Sequence, residues 1–235
     1  MNNTNTDIFL NKYRQLEDAI RNTYGDELYD KSPIIFLENH PEYRSCKNEL
    51  DYCREIRNLL THSPKVNGNY IVQPSDDMIK LLENTIQKVN HPPRAHQIMV
   101  PSARILCKTM YDLVLPAMIE MNKKTYTHIP ILENNVVVGV FSENTLLSYV
   151  INDENIDIDM KMKFSDIAKY LPVESHKAES FRFVSSNAFV SDIKAAFEEA
   201  LCKTDRIGMI FVTQNGKETE KLLGIITAWD VAGRG

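Results

Sequence analysis

The feature that most restricts the fold of this sequence is a pair of similar segments, GVFSENTLL from Gly139 and GIITAWDVA from Gly224. Each segment follows an apolar, β-branched run and a turn that contains asparagine, a combination typical of a β-hairpin. The two glycines are 85 residues apart (139 to 224), and similarity at a constant offset indicates an internal repeat. The sequence therefore predicts two copies of one supersecondary unit.

Within each copy, the periodicity of apolar residues predicts the order strand, helix, strand, strand, helix. We also align Met99-Val100 with Phe183-Val184, 84 residues apart (99 to 183), as the short extended pieces that open the two copies. The predicted elements are, in the first copy (about 96–152), an extended piece at 97–100, a helix at 109–121, strands at 127–132 and 136–142 and a helix at 143–151, and, in the second copy (about 178–235), an extended piece at 181–185, a helix at 188–201, strands at 206–213 and 222–228 and a helix from 229.

The first third of the chain shows helical periodicity instead. A first helix over 8–24 is predicted to end at Gly25, and Ser32-Pro33 opens a short second helix, because serine caps helices and proline fits the first helical position. Two longer helices are predicted, at 42–62 and from a cap at 75–77 onward.

The segment His91-Pro92-Pro93 interrupts this pattern, because two prolines cannot continue a helix. We therefore place a domain boundary there, with a helical bundle at 1–91 and the repeat at 92–235. The predicted fold class is α+β, with an N-terminal all-α helical bundle followed by two β-α-β-β-α motifs.

Charge and composition disfavour several functions. The net charge is −5, and residues 1–91 hold 11 Lys and Arg against 14 Asp and Glu, a net −3 that does not favour RNA binding. No apolar run approaches the roughly 18 residues of a membrane span, and the polar start at 1–7 lacks the features of a signal peptide, so we expect a cytoplasmic protein that does not contact a membrane. The cysteines form no CxxC pair, so we predict reduced thiols and no metal.

The two repeated segments resemble the end of a CBS motif, whose pattern is glycine, two apolar residues, Ser or Thr, two variable residues and Asp. The stretch YTHIPILENNVVVGVFS is similar to the middle of that motif, and the resemblance covers 96–235. Pairs of CBS motifs form a Bateman module with two clefts that often bind AMP, ADP, ATP or S-adenosylmethionine. The resemblance therefore implies an adenine nucleotide as the regulatory ligand, and a homodimer.

The resemblance also implies that the two clefts are unequal. In the second copy, the Thr227 hydroxyl can donate to a phosphate and Asp230 can accept from both ribose hydroxyls. In the first copy, Ser142 replaces Thr227 and Thr145 replaces Asp230, and because threonine carries no charge we expect a first cleft that is weak, altered or empty. The ligand-binding residues expected are Val184, Ser185, Arg206, Thr227 and Asp230 from the second copy and Val100, Thr127, His128, Ser142 and Thr145 from the first.

A structural interpretation of the same residues stays open. Thr227 can cap the last helix and Asp230 can occupy a favourable early helical position without any ligand. The chain stops at Gly235, about one turn into that helix, where CBS motifs usually continue, so either the helix is unusually short or the chain is truncated.

At the end of the long predicted helix, RNLLTH at 57–62 resembles the signature of HEPN domains. Many of these are metal-independent ribonucleases that act as dimers, so the resemblance implies that His62 moves a proton, Arg57 holds the scissile phosphate and Asn58 orients one of them. Positions 57 and 62 lie about 140° apart around a straight helix. They share one site only if the last turn unwinds or a second chain supplies the partner.

The alternative for these residues is structural: His62 caps the helix C-terminus, and Arg57 pairs with an acid such as Glu49, Asp51 or Glu55. Taken together, the patterns favour a cytoplasmic regulatory protein in which an adenine nucleotide in the CBS pair controls a helical interaction domain. The alternatives are a nucleotide-gated HEPN ribonuclease acting through Arg57 and His62, and a structural dimerisation protein with empty clefts.

Overall fold

The computed structural model describes residues 5–65, 70–152, 158–203 and 205–232. The chain divides into two compact units, Met1–Pro92 and Pro93–Gly235, next to the predicted proline break. Among the described residues, no helix has both the length and the apolar character needed to cross a membrane.

The N-terminal unit is helical. Its elements are α1 (Asn5–Leu28), α2 (Pro33–Asn39), a 3₁₀ helix (Pro41–Cys46), α3 (Lys47–His62) and α4 (Asp76–Asn90). The prediction that Gly25 ends the first helix was wrong: Tyr24 leaves helical dihedrals (φ −121°, ψ 19°), yet the helix continues to Leu28. Tyr24 and Leu28 are both buried, so their packing holds the chain in a kinked helix despite the glycine.

The predicted helix over 42–62 is two elements, because the chain leaves helical dihedrals at Cys46 (φ −121°, ψ 18°) and α3 begins only at Lys47. The start of α4 behaves as predicted, since the Ser75 side chain accepts a hydrogen bond from the Met78 amide. At the start of α2, Pro33 occupies the first turn as predicted, but the Ser32 side chain makes no capping hydrogen bond.

The C-terminal unit contains the repeat. Its elements are α5 (Ala95–Ile98), β1 (Val100–Pro101), a 3₁₀ turn (Ser102–Arg104), α6 (Val114–Lys124), β2 (His128–Glu133), β3 (Val136–Ser142), α7 (Glu143–Asn152), 3₁₀ helices (Phe164–Tyr170 and Val173–Ser175), β4 (Ser180–Ser185), α8 (Val190–Cys202), β5 (Ile207–Thr213), β6 (Gly224–Ile226) and α9 (Ala228–Ala232).

Three predicted bounds in this unit needed correction. The helix predicted from residue 109 begins at Val114, because the Asp112 carboxylate accepts hydrogen bonds from the amide and hydroxyl of Thr109 and stabilises a turn there. The extended piece predicted at 97–100 begins inside the helical turn α5, which ends at Ile98, and only Val100 belongs to a strand. The strand predicted over 222–228 pairs as a strand only over Gly224–Ile226.

Each copy has a β-hairpin. In the first copy, β2 and β3 are antiparallel and turn at Asn134 (φ 51°) and Asn135 (φ 67°), the positive dihedrals that asparagine tolerates in a tight hairpin. In the second copy, β5 and β6 are antiparallel and belong to a four-stranded sheet of order β1-β6-β5-β4, in which β4 runs parallel to β5.

The alignment of Gly139 with Gly224 is supported by their surroundings. A Cβ atom on Gly139 would lie 2.6 Å from the Leu171 carbonyl oxygen, and one on Gly224 would lie 2.5 Å from the Val100 carbonyl oxygen. Both positions therefore require glycine for the same reason, the close approach of another backbone segment. We call the segments around Leu171 and Val100 the entering segments, because each leads into one repeat copy.

The alignment of Val100 with Val184 was wrong. Val184 lies parallel to β5 opposite Val212, and the residue with that role in the first copy is Lys108, which bridges in parallel to Ile131 on β2. Val100 instead pairs with Ile225 on β6. Each segment that precedes one copy thus packs on the other copy, Val100 on the second and Leu171 on the first, and a constant sequence offset cannot reveal this exchange.

Candidate functional site

A cavity of about 640 Å³ lies in the Pro93–Gly235 unit, where β6 ends and α9 begins. This volume falls within the usual range for small-molecule sites. Its apolar lining comes from both copies, and its polar lining includes two arginines and two aspartates. The residues that line it and that matter below are Val100, Arg104, Thr127, His128, Phe197, Asp205, Arg206, Ile225, Thr227, Trp229 and Asp230. We call this cavity the second cleft.

Thr227 and Asp230 form a local hydrogen-bonded box at the edge of the second cleft. Asp230 Oδ2 accepts from the Thr227 amide at 2.7 Å and from the Thr227 hydroxyl at 2.7 Å. The threonine hydroxyl is therefore engaged as a donor, which differs from the expected donation to a phosphate. Asp230 Oδ1 accepts no hydrogen bond from the residues that the structure describes, so this oxygen stays available to a ligand.

Two guanidinium groups supply positive charge to the second cleft. Arg104 follows β1 in the 3₁₀ turn Ser102–Arg104, and Arg206 directly precedes β5. Both side chains are exposed, and neither forms an ion pair within the described part of the chain. Arg206 was among the predicted site residues. Arg104 was missed, because its segment reaches the second copy only through the pairing of β1 with β6.

The structure separates two other predicted residues from this cavity. Val184 and Ser185 pair with Val212 and Thr213, at the opposite end of β5 from Ile207. Ser185 Oγ donates to the Gln214 carbonyl at 3.0 Å. Neither residue is among those that line the second cleft, where they were expected.

The corresponding place in the first copy, which we call the first cleft, is more enclosed than the second. Ser142 and Thr145 are each 1% exposed. The Ser142 amide donates to Thr145 Oγ1 at 3.0 Å, so Thr145 receives the same backbone donor that Asp230 receives in the second copy. The Ser142 hydroxyl, however, donates at 2.6 Å to a residue that the sequence analysis did not consider, Glu179.

Glu179 lies just before β4, and its side chain is 2% exposed. His128 Nε2 lies 2.7 Å from Oε2 and His176 Nδ1 lies 3.2 Å from Oε1. Burial alone would raise the pKa of Glu179, but the hydrogen bonds from His128, His176 and Ser142 together hold that pKa well below its usual range. Glu179 is therefore ionised at neutral pH.

A smaller cavity of about 350 Å³ remains beside this network, lined in part by Thr125, Thr127, Phe141 and Ser142. Thr127 and His128 border the second cleft as well, and the Thr127 hydroxyl lies 2.7 Å from His128 Nδ1. No sequence motif marked Glu179 or His176, since His176 lies between the two repeat copies and Glu179 at the very start of the second, where no periodic pattern singled them out.

In the helical unit, α3 continues without a break to His62, and Ser63 is the residue that ends it. Arg57 Nη1 donates to Asn58 Oδ1 at 3.1 Å, and its guanidinium lies 5.6 Å from the centre of the Tyr13 ring. Because the last turn does not unwind, Arg57 and His62 stay on different sides of the helix. A single chain thus does not bring the predicted pair together.

All four cysteines are free thiols. Within the described ranges, the His, Cys, Asp and Glu side chains form no group of three or more arranged to hold a metal ion.

No protein-family model matches the chain, and no curated protein matches it. Solved structures do show similarity. Hypoxic Response Protein I with two coordinated zinc ions has a TM-score of 0.43 and 15% identity, over 61% of this chain and 99% of that one. A hemolysin-like protein containing a CBS domain from Oenococcus oeni PSU has a TM-score of 0.41 and 21% identity, over 60% and 89%. CBSX2 in complex with AMP has a TM-score of 0.41 and 20% identity, over 60% and 93%. Similarity at these levels does not establish a family for the chain.

Proposed function

We propose that the Pro93–Gly235 unit is a CBS pair that binds one adenine nucleotide, AMP, ADP or ATP, in the second cleft, and that this binding controls what the helical unit binds. The observation that carries the proposal is the cavity of about 640 Å³. Its lining combines two guanidinium groups that have no ion partner among the described residues, the Asp230 carboxylate and several apolar side chains. An anionic ligand with an apolar ring and a diol matches all three.

Each part of a nucleotide has a chemical counterpart in this cavity. Arg104 and Arg206 would bind the phosphate through charge-assisted hydrogen bonds. Asp230 Oδ1 would accept from the ribose hydroxyls while Oδ2 keeps its bonds to Thr227. The apolar side chains of Val100 and Ile225 would contact the base.

Calorimetric titration with AMP, ADP, ATP and S-adenosylmethionine tests the proposal. We expect Asp230→Ala to weaken the best ligand by about 1–3 kcal/mol, the loss of a hydrogen bond to a charged group. The matched control is Asp112→Ala, since Asp112 Oδ2 accepts from the amide and hydroxyl of Thr109 just as Asp230 does from Thr227, but Asp112 does not line the cavity. If no adenine compound binds more tightly than millimolar, the proposal fails, and a structural dimerisation protein is the alternative left for this unit.

The helical unit has a surface that favours a protein partner over RNA. A groove of about 480 Å³ lies between α3 and α4, with an apolar lining that includes Tyr52, which is 61% exposed. An exposed apolar patch of this kind is typical of a protein interaction site. The other lining residues are Ile56, Met78 and Leu81, with the acidic side chains of Glu49, Glu55 and Asp77. Carboxylates at the rim would repel the phosphates of RNA.

The ribonuclease alternative would have to act through two chains, because α3 separates Arg57 from His62. We expect purified protein in EDTA to leave mixed RNA intact, with and without the best nucleotide. Cleavage that leaves 2′,3′-cyclic phosphate ends and that is lost in both Arg57→Ala and His62→Ala, while the dimer stays intact, would instead establish a nuclease. Cleavage that survives both substitutions would indicate a contaminant.

A further inference from the structure

The first cleft contains a buried carboxylate that the proposed nucleotide site does not use. Among the residues that the structure describes, the partners of Glu179 are uncharged or imidazole donors and not a Lys or Arg: the Ser142 hydroxyl at 2.6 Å, His128 Nε2 at 2.7 Å and His176 Nδ1 at 3.2 Å. A buried carboxylate is costly unless its oxygens are satisfied, and here both oxygens have partners. The three contacts around the Glu179 carboxylate are those that a protein makes to an anionic ligand in a binding site.

Neighbouring side chains hold these donors in position. The Phe181 ring packs edge-on against both imidazoles, with ring centres 5.8 Å from that of His128 and 5.0 Å from that of His176. A Cβ atom on Gly208 would lie 3.0 Å from His128 Nε2, so the glycine leaves room for the imidazole to reach the carboxylate. The His176 ring is almost fully enclosed, with 1% of its side chain exposed.

We propose that Ser142, His128 and His176 form an anion-binding subsite in the first cleft, and that its occupant is the chain's own Glu179. In the second cleft, Thr227, which corresponds to Ser142, donates to its own neighbour Asp230 at the edge of a cavity of about 640 Å³. In the first cleft, the segment between Leu171 and β4 places the Glu179 carboxylate on Ser142, and the cavity beside it is only about 350 Å³. Glu179 is an internal ligand. It keeps an external carboxylate or phosphate from this subsite, so the chain binds one nucleotide rather than two.

Emptying the subsite tests this assignment without any nucleotide. The variant Glu179→Ala leaves a space lined by three donors, and loss of a buried paired carboxylate of this kind should lower the melting temperature by about 10 °C. Sodium formate, a small carboxylate, should then raise the melting temperature of Glu179→Ala by several degrees relative to sodium chloride at equal ionic strength. It should leave the wild type unchanged, because its subsite is filled. The added substitution Ser142→Ala should remove the effect of formate.

Glu174→Ala is the matched control, since Glu174 lies in the same segment and is exposed. A formate response of Glu179→Ala no larger than that of this control overturns the proposal. If Glu179→Ala does not fold, Glu179→Gln replaces it: the isosteric amide fills the space without the charge, and a melting temperature equal to that of the wild type overturns the proposal.

The statement about stoichiometry rests on the proposed function, and the titration separates the two. Two nucleotides bound per wild-type chain would overturn the internal ligand. No nucleotide bound would overturn the proposed function alone, because the formate experiment does not depend on it.

Discussion

In the second cleft, Thr227 and Asp230 border a cavity of about 640 Å³. In the first cleft, the corresponding Ser142 and Thr145 are only 1% exposed, and Ser142 donates a hydrogen bond to Glu179. The backbone arrangement at the two places is the same, down to a glycine that faces an entering segment. The sequence difference between them, Thr145 in place of an acid, does not close the first cleft, because Thr145 receives the same amide hydrogen bond as Asp230. The segment that enters beside each cleft makes the difference.

The entering segments also differ in charge. The segment after Val100 brings Arg104 to the second cleft, where its guanidinium is free to bind an external anion. The segment after Leu171 brings a carboxylate to the first cleft, where hydrogen bonds already satisfy it. The comparison teaches that the end-of-strand signature marks where a cleft can form, while the segment that packs beside each cleft, after Val100 or after Leu171, decides how much space is left for a ligand.

The largest expected effect comes from placing an acid in the first cleft. The signature alone suggests that Thr145→Asp completes a ribose site, but the structure places this residue close to the ionised Glu179, within the same buried network. A second buried carboxylate should destabilise the protein by about 3 kcal/mol, measured by urea unfolding. Thr145→Ser, which keeps a hydroxyl acceptor, should cost much less. A stable Thr145→Asp protein with a new nucleotide site would refute this account of the first cleft.

A smaller effect tests what the two copies share. Gly139→Ala and Gly224→Ala should each destabilise the protein by about 2 kcal/mol, because the added Cβ meets backbone that cannot easily move. Gly25→Ala serves as the control: nothing lies within 4 Å of its Cβ position, and the change should stabilise by about 0.5–1 kcal/mol in a helix. Thermal or urea denaturation measures all three. Strongly unequal effects at 139 and 224 would break the equivalence of the copies.

Removing the positive charge of the second cleft should weaken nucleotide binding without a large change in stability. Arg104→Ala and Arg206→Ala should each lower affinity about 10-fold, the typical value of one charge-assisted hydrogen bond, and added salt should reduce the difference. Lys203→Ala is the control, since Lys203 pairs with Glu199 and neither residue lines the cavity. Equal affinity for all variants in calorimetry would place the phosphate elsewhere.

The smallest effect concerns the pH dependence of the first cleft. Because the folded-state pKa of Glu179 lies below its ordinary value of 4.5, its charge contributes stability that is fully present above that value and is lost as the pH falls toward the folded-state pKa. The stability difference between wild type and Glu179→Gln, from urea midpoints, should therefore shrink below pH 4.5. His128 and His176 face the side chain at position 179 in both proteins. A difference that grows on acidification would contradict the assigned charge.

Local patterns in the sequence predicted much of the fold. The strand Val136–Ser142 has the bounds that its β-branched run predicted, and the asparagine turn before it adopts the expected positive dihedrals. Three residues predicted for the second cleft, Arg206, Thr227 and Asp230, do line it. Val100, Thr127 and His128, which were predicted for the first copy, line the second cleft instead. These features depend on neighbours along the chain, so residue type and spacing were sufficient to predict them.

The sequence by itself determined the repeat, the hairpins and the position of a candidate cleft at the end of each last strand. Only the tertiary structure decided that Val100 pairs in the second copy, that Arg104 reaches the second cleft, that Val184 and Ser185 lie far along β5, and that Glu179 fills the first cleft. The physical reason is that each entering segment packs on the other copy. Such pairing depends on contacts between residues distant in the chain, which no local periodicity encodes.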